Sequence, residues 1–460
     1  MEIHEMKKII AISIFVFFIT SCTPSPETIQ TAIAQTQIAI PTGTSTRTPV
    51  STVTPKLTST STPTITNSLT STNTPTLVPL SKYLQYSPVY RGNLQQTGVY
   101  ERVGNFCLGD MIWRFKTGGE IFAPPYASPI VWENTVFFPS ADGYIYALDQ
   151  FTGEERWRIG SYLDRSYPAI HDNKIYFGYL YNNFGAFDIE NLSQIWEFTS
   201  YESGMASGYP LIYEDVVYFG SKDNHFYAID IDTGKVIWAY KTGDEVKTPV
   251  IYEGMIYVNS QDGNLYAFNL ESGELIWNFQ SYQESSSSPT AYDNMIFFGS
   301  DDMYFYSVDA KTGHMNWRYK TDGEVISSPA VHNGLVFFGS RDGNVYALDV
   351  YNGEKVWSFE TGNVVVSTPA IAGTSLFVGS SDRNLYVLDL YTGEEKGSFK
   401  TEGYVSSAPV ISDQILYFSS HDEFVYAIQL VNCSDATMES SFLNNQVKIE
   451  FPSYIDEADG

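Results

Sequence analysis

From about residue 128 to residue 430 the chain alternates short apolar runs with polar turns, and runs of Ala, Leu, Glu and Lys long enough to build helices are missing. One full set lies between residues 330 and 359. Ala330-Val331 is followed by Leu335 to Gly339, then Val345 to Leu348, then Lys355 to Phe359. The turn Arg341-Asp342-Gly343 between the second and third runs carries hairpin chemistry, its Asp-Gly pair allowing φ > 0 at both central positions. Tyr351-Asn352-Gly353-Glu354 makes a second turn before the fourth run.

The set repeats. A Pro recurs at 129, 168, 210, 249, 289, 329, 369 and 409, and a Trp at 113, 157, 196, 238, 277, 317 and 357, with Gly397 at the eighth expected place. A period near forty residues with four β runs per copy is the signature of a propeller blade, whose strands A to D run outward from the axis. The fold class is therefore all-β: an eight-bladed β-propeller of four-stranded blades. One blade cannot bury both of its faces alone, so the copies must stack and close into a ring. The eighth copy stops after its third strand, Val425 to Leu430, whereas Met111 to Thr117 has the pattern of an outer strand but precedes the first blade. This N-terminal strand is expected to complete the last blade and close the ring, removing an exposed sheet edge.

Registration on the repeat also places two of the three cysteines. Aligning Gln429 with Asp349 and Trp113 with Trp357 puts Cys433 and Cys107 at the equivalents of Gly353 and Tyr351. Both fall in the one C–D turn where the covalent chain is interrupted, which predicts a Cys107–Cys433 disulfide. No two cysteines are adjacent and no C-x-x-C occurs, so neither a redox motif nor a zinc knuckle is indicated.

The chain before the repeats has a different character. Lys7 and Lys8 precede the mostly apolar run Ile9 to Ile19, which ends in Ile19-Thr20-Ser21-Cys22. The run is too short for a mature membrane span and reads as an export signal, residues 1–22, whose end resembles a bacterial lipobox with Cys22 as the lipidated residue. Residues 23–81 are Thr, Ser and Pro with almost no charge, a composition that cannot bury a core and predicts a disordered stalk. The propeller is assigned to 82–433 and an acidic tail to 434–460.

Composition sharpens the picture in two ways. Tyr (34), Phe (29) and Gly (34) are abundant, as in all-β proteins. The formal charge of −27, from 26 Lys and Arg against 53 Asp and Glu, excludes nucleic acid and a direct electrostatic grip on an anionic membrane.

Ala147-x-Asp149-x-x-Thr152-Gly153-x-x-x-Trp157 and Ala228-x-Asp230-x-x-Thr233-Gly234-x-x-x-Trp238 resemble the tryptophan-docking repeat of the pyrroloquinoline-quinone-type propeller family, with close variants ending at Trp277, Trp317 and Trp357. The resemblance covers residues from about 86 to 430. It implies that each Trp packs on the neighbouring blade and each Gly serves a tight turn. Blade two departs with Glu190-Asn191-Leu192-Ser193 in place of Thr-Gly, and blade seven with Gly397 in place of Trp. The family contains quinone-dependent dehydrogenases and non-catalytic eight-bladed lipoproteins, such as the propeller of the outer-membrane protein assembly machinery. The dehydrogenases have a vicinal disulfide and Glu, Asn and Asp ligands to calcium, and no matching set is present here.

The candidate chemistry lies in two places. The B–C turns carry Asp142, Asp223, Asp262, Asp302, Asp342, Asp382 and Asp422, for which bonding within their own turns is the favoured reading and a cation site the alternative. Longer connections follow Trp113 and Trp196, and the sector they bracket is rich in aromatics: Tyr126, Tyr162, Arg165, Tyr167, Tyr179, Tyr181, Tyr201, Glu202 and Tyr209. These residues form a candidate patch for a protein or glycan partner, the alternative being that individual tyrosines plug the channel or pack between blades. The expectation is an exported monomer, lipid-anchored through Cys22 to the outer face of a bacterial membrane. It would act as a non-catalytic binding or assembly scaffold with no catalytic residue, metal or cofactor. The alternative is an oxidoreductase dependent on pyrroloquinoline quinone (PQQ) and calcium.

Overall fold

The computed structural model describes residues 93, 95–96, 98–100, 102–119, 128–160, 167–179, 182–200 and 206–436. The expected signal, stalk and Cys22, the tail beyond 436, and Tyr126, Tyr162, Arg165, Tyr181, Tyr201 and Glu202 lie outside the described residues.

Eight antiparallel sheets, each ordered A-B-C-D, form the blades. In blade six the strands are Ala330–His332, Leu335–Gly339, Asn344–Asp349 and Lys355–Glu360, within two residues of the runs read from the pattern. Strand B is almost wholly buried in most blades, strand C is buried at its centre, and strand D alternates or stays largely exposed. The cause is stacking: B and C are covered on both faces by neighbouring blades, while D faces solvent at the rim. Phe305 of blade five and Phe338 of blade six stack with centroids 4.0 Å apart, as do Phe184 of blade two and Phe219 of blade three at 4.1 Å.

The turn chemistry differs from expectation in one respect. In the B–C turn of blade six only Gly343 has positive φ (91°), and its N–H donates to the Ser340 carbonyl, so Asp342 does not use the left-handed conformation open to it. This is a three-residue connection ending in one left-handed residue. The paired left-handed geometry appears instead at the A–B turns, as in Asp293-Asn294 (47° and 60°) and Asn333-Gly334 (49° and 78°).

Adjacent blades are joined by a repeated dock. The Trp317 indole N–H donates to the Val350 carbonyl of the next blade at 2.9 Å, and Trp113, Trp196, Trp277 and Trp357 bond to Gln150, Ile231, Ala310 and Leu390 in the same way. Beneath each ring lies the glycine of that turn. Gly353 has φ of 72°, and a Cβ there would stand 2.6 Å from the Trp317 ring. Only glycine meets both demands, a left-handed backbone and no side chain.

The ring closes as the registration predicted. Strand β1 (Val99–Tyr100) leads to strand β2 (Phe106–Lys116), which pairs antiparallel with strand C of blade eight, Phe424–Asn432. Trp113 sits opposite Ala427, just as Trp357 sits opposite Ala347. Cys107 and Cys433 are disulfide-bonded with Cα atoms 4.9 Å apart, across a sequence separation of 326. The bridge lies where blade seven has no Trp to contribute: nothing stands within 4 Å of a Cβ built on Gly397, and the Cys107 sulfur is 4.0 Å from the Lys396 carbonyl.

Two outcomes follow for stability. Gly353→Ala should cost upwards of about 1 kcal/mol in urea unfolding, through φ strain and displacement of Trp317; an unchanged midpoint would contradict the dock. Cys433→Ser, or reduction, should lower the melting temperature markedly. Chain entropy sets an upper figure of about 5 to 6 kcal/mol for so long a loop, and equal melting curves with and without reductant would remove the bridge's role.

Candidate functional site

The B–C turn aspartates are structural. Asp342 accepts the Asn344 amide (2.9 Å) on one oxygen, and on the other the Tyr346 hydroxyl (2.8 Å) and the Asp322 amide from the preceding blade (3.1 Å). Asp142, Asp262, Asp302, Asp382 and Asp422 repeat the arrangement with Tyr146, Tyr266, Tyr306, Tyr386 and Tyr426. Asp223 takes the His225 amide and the Tyr227 hydroxyl. Burial, and then the aspartate beside it, hold the Tyr346 phenol well above its usual range, so each tyrosine stays a neutral donor. Each carboxylate thus ties its own turn, its own strand C and, in six of the seven, the blade before.

The three described tyrosines of the candidate patch are not exposed anchors. Tyr167, Tyr179 and Tyr209 are 5, 7 and 1 % exposed. Tyr209 reaches from blade three to blade one, where its hydroxyl donates to the Ser128 carbonyl (2.8 Å) and accepts the Ser128 amide (2.7 Å). The Ser128 hydroxyl in turn accepts the Ala408 amide of blade eight. Tyr167 packs on Tyr209 with centroids 4.9 Å apart. Tyr179 is held by Glu197 and Gln194 and packs against Phe177 and Phe187, with Gly185 leaving it room. As surface contacts these three are corrected: a large ring with one polar tip was used here to fill space between blades and across the channel.

The inner strands also receive a segment that the repeat pattern did not reveal. The Gln95 carbonyl accepts the Ala291 amide, the Gln96 carbonyl accepts the Thr290 hydroxyl, and the Gln96 side chain donates to the Pro249 carbonyl. β1 then adds parallel to strand A of blade seven, Val99 opposite Ile371. This strap lies along blades four to seven, and Gln96 is fully buried.

A shallow recess is lined by Tyr167, Ala206, Ser207, Gly208, Lys222, Glu245, Lys247 and Thr248. Lys247 occupies the place, two residues before the marker Pro, that serine holds in the next four blades (Ser287, Ser327, Ser367 and Ser407). Its ammonium, with the side chain 6 % exposed, pairs with Glu245 at 2.8 Å, and Ser207 donates to the same carboxylate oxygen. Burial by itself would push the Glu245 carboxyl up; the Lys247 ammonium, the Ser207 hydroxyl and the nearby Lys222 together outweigh it and hold the carboxyl below its usual range. Pattern reasoning overlooked Glu245 and Lys247, although a Lys at a position otherwise held by serine was a readable signal.

A sequence profile described as outer membrane protein assembly factor BamB matches residues 107–199, 182–290 and 283–444, which spans all eight blades. The chain belongs to the BamB family. No curated protein matches it. Among solved structures, BamB from Moraxella catarrhalis is similar over 70 % of this chain and 99 % of its own, at 17 % identity and a TM-score of 0.59. The quinohemoprotein alcohol dehydrogenase from Comamonas testosteroni is similar over 76 % of this chain and 81 % of its own, at 14 % identity and a TM-score of 0.63. At such identities these likenesses concern the fold alone.

The described residues of this BamB-family chain show no donor set that fits a calcium–quinone pair. The turn carboxylates are committed to amides and tyrosines in separate blades, the disulfide joins residues far apart in the chain, and no group of three His, Cys, Asp or Glu side chains converges among the described residues.

One carboxylate in the B–C turn of blade five stands apart. Burial, reinforced by Glu324 and Glu284, pushes Asp301 up from 3.8 to about 6. Asp301 therefore holds its proton more tightly folded than unfolded. It lowers stability above about pH 6, and that penalty fades as the pH falls through 6 towards 4. Asp301→Asn should raise unfolding stability at pH 7 by roughly 1 kcal/mol, discounted for its partial exposure, with no gain at pH 4. Paired urea titrations at the two values check it, and an equal effect at both would refute the assignment.

Proposed function

We propose that the chain is an exported, non-catalytic scaffold that binds a protein component of outer-membrane protein assembly, held to the membrane by lipid on Cys22. The observation that carries this reading is the BamB-family match across the whole ring. The exhaustion of the turn carboxylates as metal ligands and the closing disulfide, which suits an oxidising compartment, support it. A stalk of the length of residues 23–81 spans about 45 Å as a flexible coil and approaches 180 Å as an extended polyproline helix. Either length lets a monomeric propeller reach a partner clear of the membrane surface. A rigid ring of this kind presents fixed loops, which suits recognition more than chemistry that needs closure.

Crosslinking in intact cells, followed by membrane solubilisation and capture of the chain, should retain a specific envelope protein. Cys22→Ala should move the propeller to the soluble fraction. Capture of no protein, together with PQQ- and calcium-dependent dye reduction by the purified chain, would overturn the scaffold in favour of the oxidoreductase.

A further inference from the structure

Blade five departs from its repeat on the face where the D–A connections and the B–C turns meet. The residue five after the Trp marker is Gly118, Gly243, Asp322, Gly362 or Glu402 on the way into five of the blades, and Tyr282 on the way into blade five. The step Ser281-Tyr282 recurs in sequence at Ser161-Tyr162 and Ser200-Tyr201, of which both tyrosines lie outside the described residues. At the tip of the following B–C turn, where Gly143, Gly263 and Gly343 take positive φ in three other blades, blade five holds Met303 at φ of 68°. A long side chain is kept there against a backbone preference that glycine would satisfy freely. Both side chains face solvent, Tyr282 at 77 % exposure and Met303 at 42 %.

The exposed ring is held in place from two directions. The Tyr282 amide donates to the Asp302 carboxylate at 3.1 Å, and the same oxygen accepts the Tyr306 hydroxyl at 2.6 Å, so the backbone beneath the ring belongs to the knot that joins blade to blade. The Arg318 guanidinium of strand D then lies over the Tyr282 ring, 5.6 Å from its centroid, and over the Tyr304 ring at 4.4 Å. Ring, cation and ring form one interleaved stack. Arg318 takes one face of Tyr282, and an exposure of 77 % leaves the opposite face to solvent. Single exposed aromatics are ordinary on a protein surface. One that is fixed at its backbone and backed by a cation is a flat platform ordered before any ligand arrives, so little further ordering opposes binding.

We propose that Tyr282, backed by Arg318, is a stacking platform for a neutral glycan of flat pyranose rings, a site separate from the protein-binding role given above. A pyranose whose hydroxyls are equatorial presents axial C–H bonds on each face, and their partial positive charge suits the negative face of a phenol ring. Its rim of hydroxyls accepts hydrogen bonds, which the Arg318 guanidinium can donate. Other ligand classes fit less well. A protein interface of standard size covers about 800 Å² per partner around buried anchors, whereas Tyr282 and Met303 stand among the charged turn residues Asp301, Asp302 and Asp322. A polyanionic glycan would meet a protein of formal charge −27, which a neutral one does not feel.

The test is calorimetric titration of the full chain with cellohexaose, xylohexaose and chitohexaose. Binding to at least one is expected, and added salt should leave it unchanged because no net charge is exchanged. Tyr282→Ala should weaken it by about tenfold, the loss that follows removal of an aromatic stacking contact, while Tyr282→Phe and Tyr282→Trp should retain it. Arg318→Ala should weaken it by about threefold through loss of the backing cation. Melting curves of the variants should superimpose on that of the parent chain, since both side chains are exposed. Binding to none of the three glycans would overturn the platform, as would unaltered affinity in Tyr282→Ala. Tighter, salt-sensitive binding of hexalysine that Tyr282→Ala removes would overturn the glycan assignment in favour of a basic peptide, and equal binding of a galacturonate hexamer would overturn the preference for a neutral ligand. Loss of envelope-protein capture in Tyr282→Ala, with no glycan bound by the parent chain, would overturn it in favour of a protein contact.

Discussion

Everything in the ring depends on a tryptophan of one blade lying on a glycine turn of the next. The contact is directional, from an outer strand to the following C–D turn, so it is heterologous, and repeated head-to-tail contacts either close or run on without end. Here they close after eight. The dock needs a left-handed backbone residue with no Cβ beneath an indole, and Gly153, Gly234, Gly273, Gly313, Gly353 and Gly393 all meet that condition. In blade two Leu192 takes the same left-handed conformation, with φ of 57°, at a cost glycine would not incur. The Asp–Tyr–amide knot at the B–C turns of six blades makes a second, polar connection between neighbours. The two together fix both the spacing and the tilt of one blade on the next.

A ring built by a chain must have one junction where the covalent link is missing, and the structure concentrates its reinforcement there. Blade eight takes its outer strand from the N-terminus, so its C–D turn is two chain ends and not a loop. A glycine turn cannot be assembled from two ends, and a Trp in blade seven would have had nothing to dock on. Gly397 in place of that Trp and the Cys107–Cys433 bridge in place of that turn are therefore one solution, not two separate departures. The strap from Gln95 to Tyr100 adds a further hold on the same end of the chain by pairing with an inner edge that the blades leave open.

What was legible in the sequence is what repeats. Trp357, Gly353 and Asp342 recur at constant offsets, so strand order, blade number and even the disulfide could be read by counting. The strap could not, because Gln95 and Gln96 have no counterparts in the repeat and their partners lie more than 150 residues away. Tyr209 misled for a related reason. Its composition suits a surface anchor, and only the position of Ser128 across the channel shows that its hydroxyl is already engaged. The turn geometry failed on a local ambiguity: Asp-Gly suits paired left-handed residues, but Asp342 is drawn into bonding Asn344 and Tyr346 and leaves the left-handed place to Gly343 alone.

Carboxylates thus play opposite parts in different blades, and the number of donors around each decides which. Asp342 faces four donors from three residues and is exhausted by them, so it can only hold the fold together. Glu245 faces one hydroxyl and one buried ammonium, with Lys222 close by, and these hold its charge against burial. Asp301 has carboxylates for neighbours, and its charge is opposed by them as well as by burial. The asymmetry of an otherwise regular ring is greatest at blade three, whose inner strand, Ala206–Tyr213, is eight residues long where the others have three, and function on a repeat scaffold has to reside in what is not repeated.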